Sequence, residues 1–140
     1  MSDHANCPFC KIIRGEIPAI RVHEDERTLT FMDIQPASPG HALVISRAHA
    51  SNLFEIVESD LVAVTLTVQR IARAVRKAFT PDGIRIVQTN GAAAGQSVFH
   101  YHVHVIPMRE GQRVGAHGRE RANPEDLKAL AAQIQAALEA

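Results

Sequence analysis

Val98-Phe99-His100-Tyr101-His102-Val103-His104-Val105-Ile106 sets three histidines alternately among branched and aromatic residues. Those residue types favour a β-strand, and a strand sends successive side chains to opposite faces. His100, His102 and His104 are therefore expected on one face with Val98 and Ile106, neighbouring rings about 7 Å apart, two residue rises. Phe99, Tyr101, Val103 and Val105 are expected on the other. A buried imidazole without hydrogen-bond partners costs stability, so three in a row mark a site of chemistry rather than core. Imidazole serves as nucleophile, base, acid or metal ligand, which leaves two readings open. One is a metal centre built on the three rings; the other is nucleophilic catalysis with a central attacking histidine. Three rings spread along one strand converge on a single ion less easily than two do. A phosphate group, by contrast, can bridge adjacent rings.

Directly before this run lies Asn90-Gly91-Ala92-Ala93-Ala94-Gly95-Gln96-Ser97, small and without large side chains. Its glycines let backbone N–H groups approach a phosphate closely, and Ser97 adds a hydroxyl. Far upstream, Cys7-Pro8-Phe9-Cys10 has zinc-ligand spacing but supplies only half a tetrahedral site. His49 and His100 are the candidates to complete it, which leaves His102 and His104 for chemistry; the alternative is two buried thiols on one helix.

The remaining elements follow from periodicity and punctuation. Cys7 to Arg14 reads as a short helix closed by Gly15. Arg21–Glu24 and Thr28–Ile34 read as strands joined by an acidic turn at Asp25 and Glu26. Gln35-Pro36-Ala37-Ser38-Pro39-Gly40 is a turn, after which His41–Ser46 resumes as a strand. Ser59 is the expected N-cap of a long helix whose stripe is Leu61, Val64, Val68, Ile71, Val75 and Ala78. Pro81-Asp82-Gly83 ends it, and Ile84–Thr89 is a further strand. After Pro107, a polar stretch with Gly111, Gly115 and Gly118 reads as a mobile surface segment. Asn123 then caps a last helix with Pro124 at its first position and Leu127, Leu130, Ala131, Ile134 and Leu138 as its stripe. Helices interrupt the strands rather than alternate with them. The expected class is α+β, a single domain over residues 1–140 with a largely antiparallel sheet, one long helix and a C-terminal helix.

A chain of 140 residues can bury a core without crosslinks. Fifteen basic and fifteen acidic residues cancel, which excludes the electrostatic footprint of a nucleic-acid or membrane-surface binder. The N-terminus lacks the regions of a signal peptide and no apolar run reaches a membrane span. The two cysteines lie together rather than forming a stapled scaffold. The expected compartment is the cytoplasm.

His100-Tyr101-His102-Val103-His104-Val105-Ile106 resembles the signature of the histidine triad family, His-φ-His-φ-His-φ-φ with φ apolar. Phe9-Cys10-Lys11-Ile12-Ile13-Arg14-Gly15-Glu16-Ile17-Pro18, Phe31-Met32-Asp33-Ile34, Pro39-Gly40-His41-Ala42-Leu43-Val44-Ile45 and Gly95-Gln96-Ser97-Val98-Phe99 resemble its other blocks, in family order. The blocks span residues 7–108 and leave 109–140 as a C-terminal extension. The resemblance is to the nucleoside-phosphoramidase-like branch, bacterial type. It implies a nucleotide hydrolase or nucleotidyl transferase that cleaves purine nucleoside 5'-phosphoramidates or related adenylylated compounds through a nucleotidyl-histidine. A diadenosine polyphosphate hydrolase, or a purine-nucleotide binding or adaptor protein with little turnover, are its alternatives.

By that resemblance His102 is the nucleophile, oriented by the His100 carbonyl, and His104 and Ser97 contact the phosphate oxygens and assist the leaving group. Asp33 is the ribose acid, and Asn90, Gly95, Gln96 and Ser97 lie at the phosphates. Phe9, Ile13, Phe31, Ile34 and Leu43 form or adjoin the base pocket. Cys7, Cys10, His49 and His100 fall on structural zinc positions, and no cofactor is needed for the chemistry. AMP or GMP is the implied product and a homodimer the implied assembly. Met32 stands where some relatives carry histidine, so contacts near the ribose are expected to differ. His4, His23, His41 and His117 receive no catalytic role, and His41 is read as structural.

Overall fold

In the computed structural model of the chain, which describes residues 5–112, 118 and 120–139, the strand alternation closes into one five-stranded sheet. Its order is β1-β2-β3-β5-β4, and every neighbouring pair is antiparallel. The strands are β1 (Arg21–Glu24), β2 (Thr28–Met32), β3 (Ala42–Ser46), β4 (Gly83–Val87) and β5 (His102–Met108). The helices are α1 (Pro8–Ile13), α2 (Glu58–Phe79) and α3 (Pro124–Glu139), with one 3-10 turn at Ala92–Ala94. No helix among the described residues is long and apolar enough to cross a membrane.

Register decides which side chains share a face. Phe31 pairs with Leu43 and Leu29 with Ile45 across β2 and β3, and Leu43 pairs with His104 and Ile45 with His102 across β3 and β5. These six side chains therefore share one face, where Cys7, Phe9, Cys10 and Ile12 join the four apolar ones in a buried cluster. The opposite face carries Met32, Ala42, Val44, Val103 and Val105, packed with Val64, Ile71 and Val75 of α2 and Leu127, Ala131 and Ile134 of α3. Burying each such aliphatic side chain contributes roughly 1.5–3 kcal/mol, so the helical face supplies most of the stability. The histidine face is left to α1 and the loops.

Helix ends explain several boundaries. Cys7 caps α1, its Sγ accepting from the Cys10 N–H at 3.3 Å, and Asn123 caps α3 by accepting from the Glu125 N–H at 2.8 Å. Ser59 does not cap α2. The helix starts two residues earlier, at Glu58, after an extended Val57 that offers no side-chain bond. At its other end Thr80 takes a left-handed φ of 42°, and Arg109 donates to the Phe79 and Thr80 carbonyls at 2.7 Å each. A cation at the C-terminal carbonyls also suits the helix dipole.

Four strand expectations change, the smallest at β3, which starts at Ala42 and leaves His41 in the turn before it. β2 stops at Met32, so Asp33 and Ile34 belong to the following loop. β4 covers Gly83–Val87 rather than 84–89. β5 starts at His102, not Val98, because main-chain groups before it bond elsewhere. The Tyr101 N–H donates to Ala50 O at 2.7 Å, and Val98 O accepts from the Gln96 side chain at 3.1 Å. His100 and Val98 are thus off the strand, and Phe99 is 45% exposed. Of the stretch expected to be mobile, residues 113–117 and 119, with Gly115 and His117, lie outside the described residues, as does His4. Gly118 is held: its N–H donates to Gln35 O at 2.8 Å.

Candidate active site

His102 and His104 project from β5 opposite Ile45 and Leu43, both buried. Their ring centroids are 5.1 Å apart, tilted edge to face, closer than the backbone spacing of about 7 Å. The edge-to-face ring of Phe9 lies 5.1 Å from His102 and 5.4 Å from Phe31, so α1 walls the histidine face.

Hydrogen-bond partners decide where each neutral imidazole carries its proton. Nδ1 of His102 lies 2.6 Å from the His100 carbonyl; a carbonyl only accepts, so Nδ1 bears the hydrogen and Nε2 keeps its lone pair. Nε2 of His100 lies 2.6 Å from the Ser46 carbonyl, which leaves Nδ1 as the basic nitrogen, 3.3 Å from Cys7 Sγ and 3.5 Å from Cys10 Sγ. His41 accepts the Ala37 N–H on Nδ1 at 3.0 Å, so its hydrogen stands on Nε2. That nitrogen is 2.9 Å from His104 Nδ1 and 3.4 Å from Asp33 Oδ2. His104 therefore accepts on Nδ1 and carries its hydrogen on Nε2. The outcome is a pair of neighbouring rings with opposite Nε2 character, a lone pair on His102 and a donor on His104. That pairing suits attack on phosphorus beside proton delivery to a departing group.

Cys7, Cys10, His49 and His100 bring their donor atoms within 4.8 Å of one another, with Cys10 Sγ 3.2 Å from His49 Nδ1. Such spacings are close to the edges of a tetrahedron with bonds of about 2.0–2.3 Å. Burial, reinforced by the adjacent Cys7 thiol, pushes Cys10 up to about 12. The thiol is therefore neutral at pH 7 until a cation draws off its proton. The donor set fits a closed, four-ligand metal site. Asp33, His41 and His104 also converge within 4.8 Å, but there the His41 Nε2–H points at His104 Nδ1, which is the geometry of a relay.

The loop before the triad is more ordered than its small residues suggested. Gly91 and Gly95 take φ of 94° and 102° around the 3-10 turn, conformations open to glycine. The buried Gln96 side chain accepts from the Gly91 N–H at 2.8 Å and donates to Ser51 O at 2.6 Å. Its side chain braces the loop against the 51 region. Asn90 likewise accepts from the Leu53 N–H at 2.8 Å and pairs with Gln88. Ser97 is exposed, three residues before His100 in the chain.

Asp33 is buried, and its Oδ1 accepts from the Gln35 N–H at 2.8 Å. Phe31 and Leu43 lie in the core cluster, Ile13 packs at its margin, and Ile34 is 45% exposed at the rim. Met32 turns to the helical face, so the residue at that position does not reach the histidines. His23 pairs with Asp25 at 3.2 Å, away from the site. His41 is the residue sequence reasoning missed. Its place one residue before β3 was visible, but its bond to His104 bridges 63 positions.

The HIT domain family matches residues 14–111. The chain is 44% identical over 133 residues to the protein named hit of Bacillus subtilis, covering 92% of each. It is 39% identical to the adenylylsulfatase HINT3 of Arabidopsis thaliana, covering 92% of this chain and 66% of that protein. Among solved structures, a Hit-like protein involved in cell-cycle regulation from Bartonella henselae superposes with a TM-score of 0.91 at 43% identity, over 98% of this chain and 99% of that one. A zinc-bound histidine triad family protein from Mycobacterium smegmatis gives 0.86 at 38%, over 98% and 96%. With His102 and His104 on β5, His100 just before it and its matched blocks in order, the chain belongs to the HIT domain family.

Proposed function

We propose that the protein is a nucleotidyl hydrolase acting on purine nucleoside 5'-phosphoramidates or related adenylylated compounds, with His102 as nucleophile. The observation that carries this reading is the contrasting Nδ1 partners of the two neighbouring rings, the His100 carbonyl at His102 and the His41 ring at His104, which assign a lone pair to His102 Nε2 and a hydrogen to His104 Nε2. His102 Nε2 bonds to the α-phosphorus as the phosphorus–nitrogen bond to the leaving amine breaks, and the His104 Nε2–H protonates that amine. Water then attacks phosphorus, gives a proton to His104 Nε2, and the His102–phosphorus bond breaks to release the nucleoside monophosphate. Charge grows on the phosphate oxygens in both steps, and the exposed Ser97 hydroxyl is the group of the 91–97 loop assigned to stabilise it. Asp33 holds the ribose hydroxyls, and Phe9, Ile13, Phe31, Ile34 and Leu43 receive the base.

The adenylylsulfatase named among the relatives supports adenylate transfer away from an acidic leaving group by the same attack. Zinc is the cation the Cys7, Cys10, His49 and His100 donors suit, as a stabilising rather than reacting group. Exposed Ile86 on the edge strand β4, with exposed Val62 and Leu66 on α2, supports a two-fold homodimer. The compartment proposed is the cytoplasm. Incubation with adenosine 5'-phosphoramidate tests the reading: the wild type releases AMP and His102→Ala does not. Retained release by the variant would remove His102 from the mechanism.

A further inference from the structure

The loop that carries Asp33 is gripped from both sides. On the site side, Asp33 Oδ1 accepts from the Gln35 N–H at 2.8 Å, and the Ala37 N–H donates to His41 Nδ1 at 3.0 Å. On the outer side, the C-terminal extension takes hold of the same residues through its main chain. The Gly118 N–H donates to Gln35 O at 2.8 Å, and the Ala122 N–H donates to Ile34 O at 2.9 Å. Gln35 is the shared link, since its N–H serves Asp33 and its carbonyl serves Gly118.

Gly118 has no room for a side chain. A Cβ built there would lie 2.1 Å from Pro36 O and 3.0 Å from Pro36 C. The obstacle is backbone, which cannot rotate out of the way as the tip of a flexible side chain could. Ala122 leads directly into α3, whose Leu127, Ala131 and Ile134 are buried in the main core. The grip on residues 34–36 is thus anchored to the body of the protein.

We propose that Gly118 and Ala122 form a backbone latch that holds the 34–37 loop in register and so sets the position of Asp33, making the C-terminal extension a determinant of ribose recognition. Gly118 is a positioning residue here: it acts through Gln35 and touches no reacting atom. A ligand with both ribose hydroxyls senses the latch, and one without them does not. The ribose part rests on the nucleotide reading; the loop part does not.

The test uses the full chain as wild type, Gly118→Ala and Ala122→Pro. Amide hydrogen exchange by NMR reads the loop. The Gln35 amide is expected to exchange at least roughly tenfold faster in each folded variant, the size of one displaced charge-assisted hydrogen bond. The Gly91 amide, held by Gln96 on the other side of the site, should be unchanged. Unaltered Gln35 protection in either folded variant overturns the latch. Steady-state kinetics with adenosine phosphoramidate and its 2',3'-dideoxy counterpart read the ribose. KM for the ribose substrate should rise about tenfold, with the dideoxy KM and both kcat values within about twofold. An equal rise for both substrates overturns the ribose assignment. A wild type that turns over neither substrate contradicts the nucleotide reading, while the exchange result still decides the latch.

Discussion

The carbonyl of His100 accepts the Nδ1–H of His102 at 2.6 Å, while the His100 ring stands 3.3 Å from the Cys7 sulfur. One residue thus joins the four-donor cluster through its side chain and orients the proposed nucleophile through its main chain. Stability of the cluster and geometry of the nucleophile meet at a single position, which a strand-only reading of the triad would not have separated.

Removing the thiols should expose that link. Cys7→Ser with Cys10→Ser is expected to lower bound zinc from one equivalent per chain to none by elemental analysis. Unfolding should occur at lower denaturant, with a loss on the order of 3 kcal/mol for a tightly held metal. Turnover should fall through displacement of the His100 carbonyl, yet remain measurable where His102→Ala has none. Full zinc retention by the double variant would contradict the assignment.

His41 fixes the hydrogen of His104 from behind, at 2.9 Å. His41→Phe removes the donor that holds His104 Nδ1 as acceptor. The expected result is a fall in kcat of about a hundredfold, the usual worth of a correctly placed acid, with KM changed little. Equal kcat in the variant would show that His104 needs no such orientation.

Gly40 takes a φ of +97°, and a Cβ there would lie 2.6 Å from the Phe79 ring and 3.2 Å from Pro107 Cγ. Gly40→Ala combines backbone strain with overpacking between the 35–40 turn and the end of α2. It should destabilise by about 2–4 kcal/mol, read as a shifted urea midpoint at constant slope. A shift under about 0.5 kcal/mol would mean the turn relaxes freely.

Asp25 is pulled by opposing influences. Burial raises its pKa, but the N–H groups of Arg27 and Thr28, the Thr28 hydroxyl and His23 together leave it below the ordinary carboxylate range. A lowered folded pKa contributes stability above the unfolded value, and that stability is lost as pH falls through the folded one. Asp25→Asn should therefore cost about 1 kcal/mol at pH 7, discounted for partial exposure. Once the pH has fallen below the lowered folded pKa, the two proteins should unfold alike. A difference independent of pH would assign the effect to the turn geometry alone.

Short-range rules found most of the elements. Alternation placed His102 and His104 on one face because a strand keeps period two. Asn123 before Pro124 marked a helix start because its side-chain oxygen can meet the Glu125 N–H locally. Val57 could not be found that way, since an extended residue without a capping side chain leaves no trace in composition. The early end assigned to the triad strand at Val98 failed for a related reason. The bond from Tyr101 to Ala50 is tertiary and the one from Gln96 to Val98 is made by a side chain, and a β-prone run carries no sign of either. The Cys-x-x-Cys pair announced half a metal site, and the two histidines named to complete it, His49 and His100, lie beside it in the fold. His41 joined the site only through folding of the 34–37 loop, held in part by Gly118 from the far end of the chain.

The most direct test is acid-free rapid quench of the enzyme during turnover of adenosine phosphoramidate, followed by peptide mass spectrometry and phosphorus NMR. The account predicts an adenylyl group attached through Nε2 of His102, formed and lost at rates compatible with kcat. Turnover without any such adduct, or an adduct on His104 with His102 unmodified, would contradict it.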